Sequence, residues 1–478
     1  PITACADEAD ATVPCQIPIA LLNYPYLVRP NCAHWFRGRA ALRVYVPPPQ
    51  INLPVDEASN LMTSISESSP ANERLMPFAG VKVIDISNFL AAPMSTMFLA
   101  DFGADVVKIE QPGRGDEVRY WGRNKNGVGL YYKILGRGKR SVTLDLRTSF
   151  GVEAIKRLVK DGDILVENYR VGTLEKWGIG PEVLHAINPG LIIMRITGFG
   201  QTGPYRERPG FGTLAEAFAG FVHINGEPDR PPLLPGFGLA DSTTGLMAAF
   251  LASAALHEKR RSGKGQVVDL AIYETLFTLL GPQAIDYDQL GEVQQRQGSR
   301  LPFTAPRNTY QTQDGKWVSI AGSAQSTFER ICQALEIPHV ITMAPFIDNR
   351  KRLENAKALD EVLQDAIGKL PLDELTCRFL AVDAPIAPVN DIAQIFADPQ
   401  LQARENIVAV PDEELDAPVK MQNVVGKFSA TPGGIRRAGP RLGEHNREIL
   451  IDELGFTDAQ VAAAGIELST LPSSKNQG

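Results

Sequence analysis

Between Val81 and Glu110 the chain passes twice through strand-length apolar stretches with one helical stretch between them. "VKVIDI" (81–86) and "DVVKIE" (105–110) are β-branched apolar runs. "PMSTMFLADFG" (93–103) has helical spacing, opens on Pro93 and closes on Gly103. That is a βαβ unit. "SVTLDL", "DILVEN" and "LIIMRITG" add strands with helical segments between them, which predicts an α/β fold built on a Rossmann-like parallel sheet. A long apolar helix, "TTGLMAAFLASAALHEKRR" (243–261), turns at "GKGQ" into "VVDLAIYE" (267–274).

After about residue 285 the texture changes. "NTYQTQDGKWVSIAG" (308–322) reads as a hairpin around Asp314-Gly315, and amphipathic helices follow. The expected division is a large domain over 77–284, a smaller α+β domain over 285–397, and a return to the large domain over 398–470. Residues 1–76 read as a leader, loosely ordered or lying upstream of a start near Met62 or Met76. Four arginines (Arg29, Arg37, Arg39, Arg43) and no acid fall between Asp10 and Asp56. A transit peptide shares that bias, but the prolines there break an amphipathic helix. The expected location is cytoplasmic, or mitochondrial if the leader is a transit peptide.

Composition narrows the function. The chain has 478 residues, 44% hydrophobic and 22% charged, with a net charge of −7. That balance gives no support for a nucleic-acid partner. Apolar runs are broken by Gly, Pro or charge well short of the ~18 residues of a membrane span, so no membrane partner is expected. Five cysteines without a CxxC pair, and six histidines without an HExxH pattern, predict neither a zinc site nor any other metal site.

A βαβ unit invites a nucleotide reading, but the loop after the first strand, "SNFLAAP" (87–93), has no glycine. Dinucleotide sites need glycine there so that backbone can approach the pyrophosphate. "GRGKRS" (136–141) fails as a Walker loop, because Arg140 stands where Ser or Thr is required. The remaining basic candidates are Lys139, Arg140, Arg170, Lys176, Arg206 and Arg208. Each is read as lying just past a strand, at the edge where open α/β sheets bind ligands.

"GVKVIDISNFLAAPMSTMFLADFGADVVKIEQPGRGD", "GKRSVTLDL", "DILVENYRVGTLEKWG", "NPGLIIMRITGFGQTGPYRERPGFGTLAEAFAG", "ADSTTG" and "GKGQVVDLAIYE" occur in this order. Together they resemble the class III coenzyme A transferases, over roughly residues 78–460. The resemblance implies that Asp241 attacks an acyl-CoA thioester, forming a mixed anhydride and then an enzyme-bound CoA thioester. Coenzyme A is then substrate and product, no cofactor is permanently bound, and the partners are an acyl-CoA and a small carboxylic acid. On that resemblance the donor is read as succinyl-CoA and the acid as a dicarboxylate. An interlocked homodimer is also implied. Asn168, Tyr169, Arg170, Lys176, Lys139, Arg140, Phe89, Leu90 and Arg208 fall in segments that contact CoA. Gly322 and Ser323 match a mobile loop that serves the oxyanion. An aspartate ionised ~3 units below neutrality would need no general base.

There are departures. Leu90 stands where the formyl-type enzyme has glutamine, Gln111 where it has arginine, and Gly212 where it has an active-site glutamate. The carnitine and dicarboxylate branches are the better match. An acyl-CoA racemase of the same fold needs a histidine where Phe211 stands, and two competent acid–base groups. A non-catalytic CoA-binding scaffold is the alternative outside enzymology. Read without the family, Asp241 before Ser-Thr-Thr also suits a helix N-cap, and His223 a structural role.

Overall fold

A computed structural model describes residues 76–468, and the leader over 1–76 lies outside the described residues except for Met76. Six strands form one parallel sheet: β1 (Lys82–Asp85), β2 (Asp105–Glu110), β3 (Lys139–Thr143), β4 (Ile164–Glu167), β5 (Ile192–Thr197) and β6 (Val267–Ala271). Their order is β3-β2-β1-β4-β5-β6. This is the doubly wound order, in which the sheet grows one way from β1 and then the other. The carboxyl ends of β1 and β4 therefore flank a crevice.

Alternation along each strand feeds two apolar layers. Val83, Val106, Val166, Ile192 and Met194 face α1 (Ala91–Asp101), while Ile84, Val107, Leu165 and Ile193 face α2 (Ser149–Lys160). The first layer also takes in α3 (Gly212–Phe218), α4 (Leu239–Ser262) and α5 (Ile272–Thr278). The open edge of β3 is closed by the returning chain. His445 donates its N–H to the Ser141 carbonyl at 2.9 Å, and the Asn446 amide oxygen accepts from Thr143 N–H at 2.8 Å. One backbone N–H and one side chain thus complete the ladder of an edge strand.

Helix α4 is long for a globular helix at 24 residues. Acidic Asp241 lies in its first turn, Lys259, Arg260 and Arg261 lie in its last, and Gly263 ends it in the left-handed region at φ 73°. By length and composition alone it is apolar enough to cross a membrane, with mean hydropathy 1.3. In the fold, Ala240, Thr244, Gly245, Ala248 and Ala252 are buried, while Leu246 and Phe250 are exposed. Small residues let α4 lie close on α1: a Cβ at Gly245 would fall 2.9 Å from the Met94 Cβ and 3.0 Å from the Ala91 carbonyl oxygen.

The described residues form two compact units, residues 299–389 and the remainder. The smaller unit carries an antiparallel sheet of β7 (Arg307–Gln311), β8 (Trp317–Ala321) and β9 (Ala387–Pro388). Its hairpin turns at Asp314-Gly315, as the sequence predicts, with Gly315 at φ 74°. Helices α6 (Gln325–Ala334), α7 (Ala356–Ile367) and α8 (Leu372–Ala381) pack Phe328, Leu363 and Phe379 onto Tyr310 and Val318. This unit is narrower than the expected 285–397. The chain before it stays with the large unit, where Gly298 N–H donates to the Gly226 carbonyl at 2.9 Å and Arg296 to the His223 carbonyl at 3.1 Å.

Gly245→Val should force α4 off α1 and destabilise the large unit by about 1–3 kcal/mol, the usual penalty of overpacking. Thermal unfolding followed by circular dichroism reads this as a lowered Tm.

Candidate active site

Asp241 is the third residue of α4 and is partly buried. It is not a helix cap, because the N-cap is Gly238, with no side-chain cap bond. The first turn is instead closed by Glu216 of α3, whose carboxylate accepts Ala240 N–H at 3.2 Å. Glu216 is itself 2% exposed. The Asp241 carboxylate rests on the first residue of α3 and accepts a backbone hydrogen bond from Gly212. A Cβ on Gly212 would stand 2.2 Å from Asp241 Oδ2, and one on Gly238 would stand 2.9 Å from Leu90 Cδ2. Only glycine fits at 212. The residue that departs from the formyl-type pattern is therefore the one that makes room for the carboxylate.

Burial is the main reason the Asp241 carboxyl rises to about 6; the charge of Glu216 adds to it, and the Gly212 N–H opposes it. The expected three-unit margin shrinks to about one. Ionised Asp241 still predominates at pH 7.

An aromatic wall stands beside it. Phe89 meets Phe211 edge-on, with centroids 5.6 Å apart, and lies 5.9 Å from Trp121. Trp121 stacks on Tyr131 at 6.4 Å and 15°. Burial raises the Tyr131 phenol, and the Asp241 charge raises it further, which sets that hydroxyl in the field of the carboxylate. Phe89 holds φ 66°, a left-handed backbone rare for an aromatic residue. Its N–H is tied to Asp116 Oδ1 at 3.1 Å, and Asp116 is buried against Lys108 at 3.0 Å.

The crevice at the strand ends is a cleft of about 300 Å³, lined by Phe89, Gln111, Arg114, Arg147, Tyr169 and Trp177 among others. Tyr169 packs edge-on against Trp177 at 4.8 Å, and its hydroxyl accepts from the Asn88 amide at 3.2 Å. Asn168 does not point its amide at a ligand. It clamps Asn88 from both sides, accepting from its N–H at 2.8 Å and donating to its carbonyl at 2.7 Å.

Several expected contacts take other roles. Lys139 and Arg140 lie inside β3, not past a strand. The Lys139 ammonium is 1% exposed and is spent on Asp85 Oδ2 at 3.0 Å and the Pro93 carbonyl at 2.7 Å. Arg140 is held by Asp105, Glu448 and Glu453. A phosphate cannot displace such partners cheaply. Arg114 and Arg147, which the sequence reading missed, line the cleft, each past a strand's carboxyl end. Arg170 and Lys176 are exposed beyond β4, and Arg208 lies over the Tyr205 ring at 3.5 Å. Leu90 is buried beside Gly238. Gly322 and Ser323 belong to the smaller unit, where Gly322 N–H is already donated to the Pro306 carbonyl at 2.8 Å. That donor is not available to an oxyanion. Among the described residues, no group of three His, Cys, Asp or Glu stands ready for a metal ion.

The family model described as CoA-transferase family III matches residues 78–446. The chain belongs to CoA-transferase family III. Its match takes in Asp241, the aromatic wall and the cleft. The transferase is 43% identical over 387 residues to the succinyl-CoA–D-citramalate CoA-transferase of Chloroflexus aurantiacus, covering 81% of this chain and 96% of that protein. It is 32% identical over 400 residues to human succinyl-CoA:glutarate CoA-transferase, covering 82% and 90%. The crystal structure of a CAIB/BAIF family protein from Brucella suis superposes with a TM-score of 0.71 at 34% identity, covering 79% of this chain and 99% of that one. The transferase is thus an enzyme that moves coenzyme A between carboxylic acids.

Gly212→Ala should push the Asp241 carboxylate out of place and lower kcat/KM by on the order of 100-fold, with the fold kept by circular dichroism. If Asp241 must be ionised to react, kcat/KM should rise with pH through about 6. Because its folded pKa lies above the unfolded value, stability falls as pH rises from about 4 through 6. Asp241→Asn should therefore stabilise the fold at pH 7 by on the order of 1 kcal/mol after solvent screening, read as a higher Tm, while transfer is lost.

Proposed function

We propose that this transferase takes coenzyme A from succinyl-CoA and passes it to a small dicarboxylic acid, with Asp241 as the covalent carrier. One observation carries the reading: a partly buried carboxylate resting on a bare glycine backbone, close to a cleft at the switch point of a parallel sheet.

The bond changes balance without a cofactor. An Asp241 oxygen attacks the thioester carbonyl carbon, the C–S bond breaks, and CoA thiolate leaves a mixed anhydride behind. The thiolate attacks the aspartyl carbonyl, freeing the donor as its carboxylate and leaving an aspartyl-CoA thioester. The incoming acid attacks that carbonyl and expels the thiolate again. The thiolate then takes the acceptor's acyl carbon, and Asp241 is a carboxylate once more. Every nucleophile in the sequence is already an anion. Gly212 N–H stabilises charge at the Asp241 oxygen.

Coenzyme A would lie in the cleft, with Tyr169 and Trp177 as its apolar side and Arg114 and Arg147 toward phosphate. The relatives' names support the substrate class. Those quoted above use succinyl-CoA with citramalate or glutarate, and another Chloroflexus aurantiacus relative, 41% identical, is the succinyl-CoA–L-malate CoA-transferase beta subunit. The site itself leaves no second acid–base group where a racemase keeps its histidine, since Phe211 occupies that place in the wall.

Incubation with succinyl-CoA and a panel of free acids tests this reading. Citramalate, malate or glutarate should gain CoA while succinate is released. Exchange of a substrate's α-proton with solvent deuterium, without acid exchange, would support a racemase instead. CoA binding without turnover would support a scaffold.

A homodimer belongs to the same proposal. The outer face of α4 leaves Phe250 66% exposed, and Phe277, Leu279, Ile285 and Leu290 are exposed after it. A second copy of this chain is the expected cover for these exposed apolar side chains. Light scattering should return twice the chain mass; a monomer would contradict it.

A further inference from the structure

Helix α3 touches the first turn of α4 at two points one turn apart. Gly212, its first residue, gives a backbone N–H to the carboxylate. Glu216, four residues on, reaches the start of α4 and accepts Ala240 N–H at 3.2 Å. An ordinary cap at Gly238 is excluded by space, since a Cβ there would stand 2.9 Å from Leu90 and 3.4 Å from Asp241 Oδ2. The first turn of α4 needs an acceptor for its open N–H groups, and α3 supplies it from outside. A glutamine would do this equally well by hydrogen bonding. A glutamate brings a buried negative charge next to a carboxylate, which structure alone does not require.

Resting on the reading of Asp241 as the reacting carboxylate, we infer that Glu216 is its positioning residue, holding from α3 the first turn of α4 that carries the carboxylate. The Glu216 charge is the second cause, after burial, of the raised Asp241 carboxyl. Other ionisable groups on the neighbouring elements are mostly committed elsewhere. Asp101 of α1 pairs with Arg137, Arg195 of β5 pairs with Glu167, and Glu274 of α5 accepts Ala271 N–H. Tyr273 of α5 lies against the Phe218 ring, and His223 sits in the short helix Phe221–Ile224. The Tyr131 phenol is raised first by burial and then by the Asp241 charge. Glu216 thereby keeps the nucleophile more basic than a free aspartate at the cost of a smaller ionised fraction, which suits attack on a carbonyl carbon.

Glu216→Gln keeps the acceptor and removes the charge, while Glu216→Ala removes both. The midpoint of the kcat/KM profile should fall by roughly one pH unit in Glu216→Gln, with Tm at or above wild type and the KM for succinyl-CoA close to wild type. Glu216→Ala should lose at least tenfold in kcat, and Gln should restore most of it. Carbon-13 carboxyl NMR of aspartate-labelled protein, with Asp241→Asn for assignment, reads the same coupling without turnover. A shifted Asp241 titration in Glu216→Gln supports the inference even if the enzyme proves not to transfer CoA. An unmoved titration, or a wild-type kcat in Glu216→Ala, overturns it even if transfer is confirmed.

Discussion

Asp85, at the end of β1, is fully buried between two ammonium groups: Lys139 at 3.0 Å and Lys108 at 3.6 Å. Burial works against its charge, and the two lysines and the hydroxyls of Ser87 and Thr96 overcome that and hold its carboxyl well below the usual range. Breaking such a pair leaves buried charge uncompensated, at roughly 3–5 kcal/mol. The cluster joins β1, β2, β3 and α1, and it continues outward through Lys108 to Asp116. Asp116 in turn holds Phe89 N–H and so the left-handed turn that sets the Phe89 ring against Phe211 and Trp121. The aromatic wall beside Asp241 is therefore anchored in the ionic centre of the sheet.

The same cluster explains which parts of the site are legible in the amino-acid sequence and which are not. Strand and helix periodicity show the parallel sheet, because Val106 and Val107 must feed opposite layers and both be apolar. Periodicity is silent on where a lysine points. Lys139 and Arg140 look like phosphate ligands from their neighbours "GKRS", yet one lies between Asp85 and a backbone carbonyl, and the other between three acids. Of the six basic residues read as standing past strand ends, these two lie within β3, whereas Arg114 and Arg147 stand past the ends of β2 and β3 and line the cleft. A finer count of strand ends would have found them.

Asp241 stands out in sequence only through the surrounding blocks, since a lone acid ahead of a helix is ordinarily a cap. What distinguishes it physically is spacing that no one-dimensional pattern shows. Glu216 already caps the helix, and Gly212 lies under the carboxylate. Gly212 was read as a missing functional group, but its value is the absence of a side chain. Asn168 is the converse case: a residue in a segment expected to contact coenzyme A whose amide oxygen and nitrogen both engage Asn88.

The proposed chemistry passes through the carboxyl group of one side chain, Asp241. The most direct measurement is mass spectrometry of enzyme quenched during turnover with an acyl-CoA, mapped by peptide. The account predicts a CoA thioester on the peptide containing Asp241, removed by hydroxylamine. An unmodified peptide, together with an Asp241→Asn variant that turns over at the wild-type rate, would contradict it.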